Sequence, residues 1–197
     1  MPNSQRALAW LRGGSAALVC SVLVTTLASC DSAADGEPTP APVPSTTTAT
    51  TSAPPSPSAP TMPADAQGTS AKAAKAFVRF YIALINHAMA TGETTELRAA
   101  SADGCESCNA VIGRVEDVYA QGGHIKSKGW AVRSIQLVPG TAGAHPSLDI
   151  GLRLSPQRVY KAPDAAPERF PGGRLPITIG LEQIGSRWQV TQWVRSA

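Results

Sequence analysis

Beyond residue 70 the apolar positions change period once, and the change separates helices from strands. In "AKAAKAFVRFYIALINHAMATG", which begins at Ala71, the side chains Phe77, Phe80, Tyr81, Leu84, Ile85 and Ala88 recur three or four residues apart. That spacing is the stripe of an amphipathic helix, and Gly92 supplies its stop. "TTELRAAS" predicts a short second helix with Leu97 as its apolar contact. "ESCNAVIGRVEDVYAQGG" predicts a third, with Val111, Ile112, Val115, Val118 and Tyr119 on one face and Gly122-Gly123 at its end. The period then falls to two. "GWAVRSIQLV" and "SLDIGLRL" read as strands, the latter alternating Leu148, Ile150, Leu152 and Leu154 with Asp149, Gly151 and Arg153. "RLPITIGLE" repeats the alternation with Leu175, Ile177, Ile179 and Leu181, and "SRWQVTQWV" closes the chain; Pro176 marks an edge or a strand start. Helices followed by strands on short turns predict an α+β domain, three N-terminal helices packed on a curved, cone-like four-stranded antiparallel sheet. The roughly 127 residues concerned suffice for one core.

The first 70 residues show neither period. Residues 1–29 hold Arg6 and Arg12, no acid, and a run of apolar and small side chains from Gly13 to Ser29. A basic start before a short apolar run is the pattern of a secretory signal, because the bases stay cytoplasmic while the apolar core enters the export machinery. Interrupted by Gly13, Gly14, Ser15, Ser21, Thr25 and Thr26, the run falls short of the about twenty apolar residues a bilayer core requires. Residues 30–70 hold nine prolines and no base, with Val43 and Met62 as their only larger apolar side chains. Two such side chains do not offset the entropy of ordering about forty residues, so this stretch is expected to be an unstructured Pro/Thr/Ser-rich spacer, extended by its prolines. The chain thus divides into a leader (1–29), a spacer (30–70) and a globular domain (71–197).

The apolar run ends Leu27-Ala28-Ser29-Cys30, which resembles the bacterial lipobox, [LVI]-[ASTVI]-[GAS]-C. The resemblance implies cleavage before Cys30 and a thioether from its sulfur to diacylglycerol, placing the domain on the extracytoplasmic side of the cell membrane. Two acyl chains hold a protein firmly where one holds it marginally. An uncleaved anchor and a soluble secreted product are the alternatives. Two of the 17 bases and four of the 14 acids precede residue 71, which leaves the domain at about +5. With no run of bases interleaved with aromatics, that excess speaks against a nucleic-acid partner.

Residues 71–130 carry F-V-R-F/Y-Y at Phe77, N-x-A at Asn86 before T-G-[DE]-T, C-x-x-C at Cys105, and Y-x-x-G-G at Tyr119 before Trp130. This set resembles an actinobacterial lipoprotein family of unknown function. The element order is also similar to the nuclear-transport-factor-2-like cone, in which a curved sheet wraps a long helix and often leaves a pocket. The resemblance implies an extracytoplasmic lipoprotein domain with a cone-like fold and brings no activity.

If Cys20 leaves with the leader and Cys30 takes the lipid, Cys105 and Cys108 remain in an oxidising compartment and are expected to form a disulfide pinning the start of the third helix. A redox pair is the alternative, since a helix N-terminus lowers a thiol pKa, but no strand precedes this C-x-x-C as in thioredoxin-like units. A second cysteine pair or spaced histidines are lacking, so no metal and no cofactor is expected. Tyr81 on the first helix and His87 at the flank of its stripe are the candidate pocket residues. His87 is an acid/base group if the cone keeps a cavity, and otherwise a hydrogen-bonded boundary residue. Asn86, nearly opposite the stripe, is read as solvent-facing, and His124 and His145 as exposed loop residues. Asp149 and Arg153 share the polar face of a strand as a surface pair or a solvated face. Trp130, Trp188 and Trp193 are read as core rings, with Trp193 ambiguous between the core and a sugar or partner contact. The domain has no G-x-S-x-G, S-x-x-K, H-E-x-x-H or phosphate-cradling glycine loop, and no catalytic residue is assigned. The expected function is a membrane-anchored, non-catalytic module that binds a small ligand, a cell-wall component or another envelope protein. A cone-fold enzyme using a residue in its cavity, and an accessory domain with structural duties, are the competing readings.

Overall fold

The computed structural model describes residues 57–196. Cys30, the leader and the spacer as far as residue 56 lie outside the described residues. The remainder of the expected spacer contributes to the core: a single 3-10 turn at Ala64–Ala66 buries Ala66 completely, and Met62 packs partly buried against the same cluster. Helix α1 (Ala71–Thr91) follows. Ser70 caps it by accepting the Ala73 N–H at 3.0 Å, and Gly92 ends it at φ 83°, returning its N–H to the Ala88 carbonyl at 2.8 Å. The apolar stripe is wider than its sequence spacing indicates, because Val78, Ile82 and Met89 are buried as well. Packing on several sides makes α1 the axle of the core.

Helix α2 (Thr95–Ala99) buries Leu97, and α3 (Glu106–Ala120) buries Cys108, Ile112, Val115 and Val118. Tyr119 joins α3 to the end of α1, its hydroxyl donating to the Met89 carbonyl at 2.9 Å, one of the carbonyls a helix C-terminus leaves without an internal partner. Its ring lies where a Cβ on Gly92 would come within 2.6 Å, so glycine is required there for space as well as for its positive φ.

Seven strands follow: β1 (His124–Ser127), β2 (Trp130–Leu137), β3 (Ser147–Leu154), β4 (Gln157–Tyr160), β5 (Glu168–Phe170), β6 (Gly173–Ile184) and β7 (Arg187–Arg195). They form two antiparallel sheets, ordered β2-β3-β6-β7 and β1-β4-β5. The strands read from alternation are β2, β3, β6 and β7; the second sheet is an addition to the expected arrangement. Its strands continue β2, β3 and β6 across short breaks at Lys128-Gly129, Ser155-Pro156 and Pro171-Gly172. Proline has no N–H for a ladder, and strands of three or four residues are too short to show a period.

The inward face of the larger sheet presents Leu148, Ile150, Leu152, Ile177, Ile179, Leu181, Trp188 and Val190, all buried in one cluster with α1 and α3. Both outer strands of this sheet are covered in part. On β2, Asn86 of α1 accepts the Trp130 N–H at 2.7 Å and donates to the Trp130 carbonyl at 2.9 Å. Asn86 is therefore half-buried and bonded, not solvent-facing. On β7, Val190 exchanges backbone bonds with Ala100 and Ala102 at 3.0 and 2.9 Å, and the Trp193 N–H donates to Ser107 Oγ at 3.1 Å. Covering a strand edge removes a template for intermolecular pairing.

Candidate functional site

Cys105 and Cys108 are joined in a disulfide with their Cα atoms 5.2 Å apart. Cys105 is the N-cap of α3, its sulfur accepting the Cys108 N–H at 3.2 Å. Both residues are buried beside Val190, so the bridge lies inside the seam between α3 and β7.

Tyr81 is 1% exposed. Its hydroxyl lies 3.0 Å from Ser101 Oγ, which itself donates to the Leu97 carbonyl at 2.8 Å, so the phenol is the donor of the pair. Burial pushes the phenol up to about 12, against a smaller opposing effect of the Ser101 hydrogen bond. A group so placed holds its proton at neutral pH and ties α1 to the segment that clasps β7. His87 is half-buried on α1, and neither it nor Tyr81 lines the principal cavities.

The other singled-out residues find varied surroundings. His124, expected in an exposed loop, opens β1 half-buried and stacks on Tyr160 with centroids 4.4 Å apart and planes 9° from parallel. His145 is exposed. Asp149 accepts from the Thr178 hydroxyl at 2.6 Å instead of pairing with Arg153. Trp188 is buried, while Trp130 and Trp193 are half-buried with rings 5.8 Å apart. All three indoles bury Nε1 without an acceptor, so the rings serve packing and Trp193 is no isolated surface ring. Among the described residues, the exposed large apolar side chains are Ile184 and Val194.

Three of the recesses among the described residues are candidate sites. One of about 800 Å³ lies between α3 and β4–β5, lined by Asn109, Arg114, Asp117, Lys161 and Glu168. Most of its charges are engaged: Lys161 pairs with Glu168, whose carboxyl is held below its ordinary range chiefly by that hydrogen bond, and the Arg114 guanidinium lies 4.6 Å over the Phe170 ring. A groove of about 630 Å³ beside Met62, Phe80 and Trp188 is bordered by Glu96 and Arg187. The third, also about 630 Å³, opens on the exposed side of β2, β3 and β6 and is lined by Arg133, Arg153 and Arg174 with Ser134, Gly151 and Pro176. Ser134 reaches over Gly151, where a Cβ would come within 2.6 Å of the hydroxyl oxygen. Of these arginines only Arg153 stands out in the sequence. The available signal was the recurrence of arginine at outward strand positions. Among the described residues no group of three or more His, Cys, Asp or Glu side chains is placed to hold a metal ion.

A family model described as a family of unknown function (DUF6318) matches residues 44–147. No curated protein matches the chain in sequence. Among solved structures, the intermembrane-space region of the chloroplast protein ARC6 is similar at 13% identity, covering 66% of this chain and 98% of that one with a TM-score of 0.49. Aln2 from a Streptomyces species is similar at 12% identity, covering 66% and 93% with a TM-score of 0.43. A protein bearing the NTF2 name is similar at 12% identity, covering 62% and 99% with a TM-score of 0.36.

Proposed function

The chain belongs to the DUF6318 family, and from that premise we propose that it is a lipid-anchored, non-catalytic binding module on the extracytoplasmic side of the cell membrane. The observation that carries the non-catalytic part is the filled interior. Where a cone-fold enzyme would keep a cavity with an acid/base residue, Phe77, Tyr81, Leu84, Ile85, Leu148 and Ile179 pack together, each at most 1% exposed. The candidate pocket tyrosine directs its proton at Ser101, and Lys161 and Glu168 of the α3 recess pair with each other. Chemistry at a site needs a titratable group free to exchange a proton with a bound molecule, and recognition does not. Open recesses at the surface fit the second role.

The anchor rests on the Leu27-Ala28-Ser29-Cys30 motif at the end of the apolar leader. Mass spectrometry of the protein isolated from its native membrane is expected to find a mature chain beginning at Cys30 with a diacylglycerol mass on that residue. The Cys30→Ser chain is expected to lose that mass. A native chain that begins elsewhere, or carries no lipid, would remove the tether from this account.

A further inference from the structure

We propose that the helix-free side of the strand ribbon binds a linear polymer of phosphate groups along two rows of basic side chains. In the larger sheet Arg153 of β3 stands directly opposite Arg174 of β6. Arg133 joins them from β2, where the register is irregular between Val132 and Ser134. Such an irregularity re-aims a side chain, and here it completes a three-arginine recess. In the smaller sheet Lys126 of β1 stands opposite Arg158 of β4, which stands opposite Arg169 of β5. All six side chains are exposed, and no ion pair among the described residues includes any of them.

Like charges directly opposite on neighbouring strands destabilise a sheet. Protection of a free edge explains charged residues on outer strands. It does not explain Arg153, Arg158 and Arg174, since β3, β4 and β6 each have a strand on both sides. No carboxylate among the described residues pairs with them: Glu168 pairs with Lys161, and Asp149 accepts from the Thr178 hydroxyl. What suits opposed guanidiniums is an oxyanion between them, because each fork donates two parallel hydrogen bonds to a phosphate edge.

The rows are separated by Arg153 to Arg158 along one chain segment and Arg169 to Arg174 along the other, at most about 17 Å at strand rise. A single phosphate fills one row; a chain of phosphates engages both. Lys126 also lies over Tyr160, with Nζ 5.2 Å from the ring centroid, next to the His124–Tyr160 stack, which holds that end of the row in place. This inference rests on the binding-module reading and is independent of the lipid anchor.

The test is a titration of the full chain with labelled long-chain inorganic polyphosphate, at low salt and at about 0.3 M salt, a range over which a several-charge contact weakens measurably. Binding that weakens with salt is expected. Arg153→Gln/Arg174→Gln and Arg158→Gln/Arg169→Gln are each expected to weaken it tenfold or more and to flatten the salt dependence, while melting temperatures stay equal or rise as the opposed charges are removed. Lys72→Gln/Arg79→Gln, which removes two exposed bases of α1 outside the rows, is expected to leave binding within twofold. Absence of binding at low salt, equal losses in the Lys72/Arg79 control, or sedimentation with anionic phospholipid vesicles while polyphosphate stays unbound would each overturn the site. Cleavage of bound polyphosphate would support the site and overturn the non-catalytic reading.

Discussion

Asn86 offers Trp130 what a neighbouring strand would offer, an acceptor for its N–H and a donor for its carbonyl, from a single side chain. Removing it leaves both backbone groups without their partner at the point where α1 docks on β2. Asn86→Ala is accordingly expected to lower stability by about 1–3 kcal/mol in urea denaturation, the cost of unpairing partly buried polar groups. Asn86→Asp, which keeps the acceptor but sets a carboxylate against the Trp130 carbonyl, is expected to recover little of that loss. Sequence spacing misplaces Asn86 because an angle from the centre of one stripe treats a helix as having one neighbour. Buried on several sides, α1 makes a polar residue away from its stripe face another element instead of water. Gly129, with φ 84°, packs against the same amide, where a Cβ would come within 2.7 Å of Asn86 Oδ1. The turn before β2 and the asparagine therefore fit as one unit.

Between elements, α2 is short and depends on neighbours for its place. Glu116 of α3 accepts from the Thr94 hydroxyl at 2.6 Å and from Arg98 at 2.7 Å, tying the start and end of α2 to α3. Its carboxyl is held below its usual value near 4.5, first by the Thr94 hydrogen bond and then by Arg98. A carboxyl depressed in the folded state contributes stability above its unfolded pKa, and that contribution is lost as pH falls through the depressed value. The pair is half exposed, so the contribution is screened and amounts to about 0.5–1 kcal/mol. Glu116→Gln is expected to melt a few degrees lower than the parent at pH 7, with the gap closing as pH falls through the depressed carboxyl value, followed by circular dichroism. Helices α1 and α3 and the four long strands were legible because each is long enough to display its period. The strands β1, β4 and β5 were not, since three or four residues beside Pro156, Pro171 and Gly129 carry the local marks of turns and become strands only by pairing with one another.

For the molecule as a whole, the folded unit reaches back into the proline-rich segment. Ala66 is fully buried and Met62 partly so, and together they close one side of the core beside α1. A chain beginning at residue 71 is expected to fold but to lose about 1–2 kcal/mol of apolar burial relative to one beginning at residue 57, a fall of roughly 4–8 °C in melting temperature by calorimetry. Equal melting temperatures would show that this segment adds nothing to the core. The α+β composition, the stop of α1 at Gly92 and the apolar faces were all readable along the chain, because helix caps and hydrophobic periods are local properties. Its charge balance described only a mild excess of bases, with no linear cluster. That Lys126, Arg158 and Arg169, and separately Arg133, Arg153 and Arg174, come side by side emerged only in the folded chain. Strand pairing joins residues far apart in the chain, and register, which no local pattern specifies across such distances, sets which charges meet.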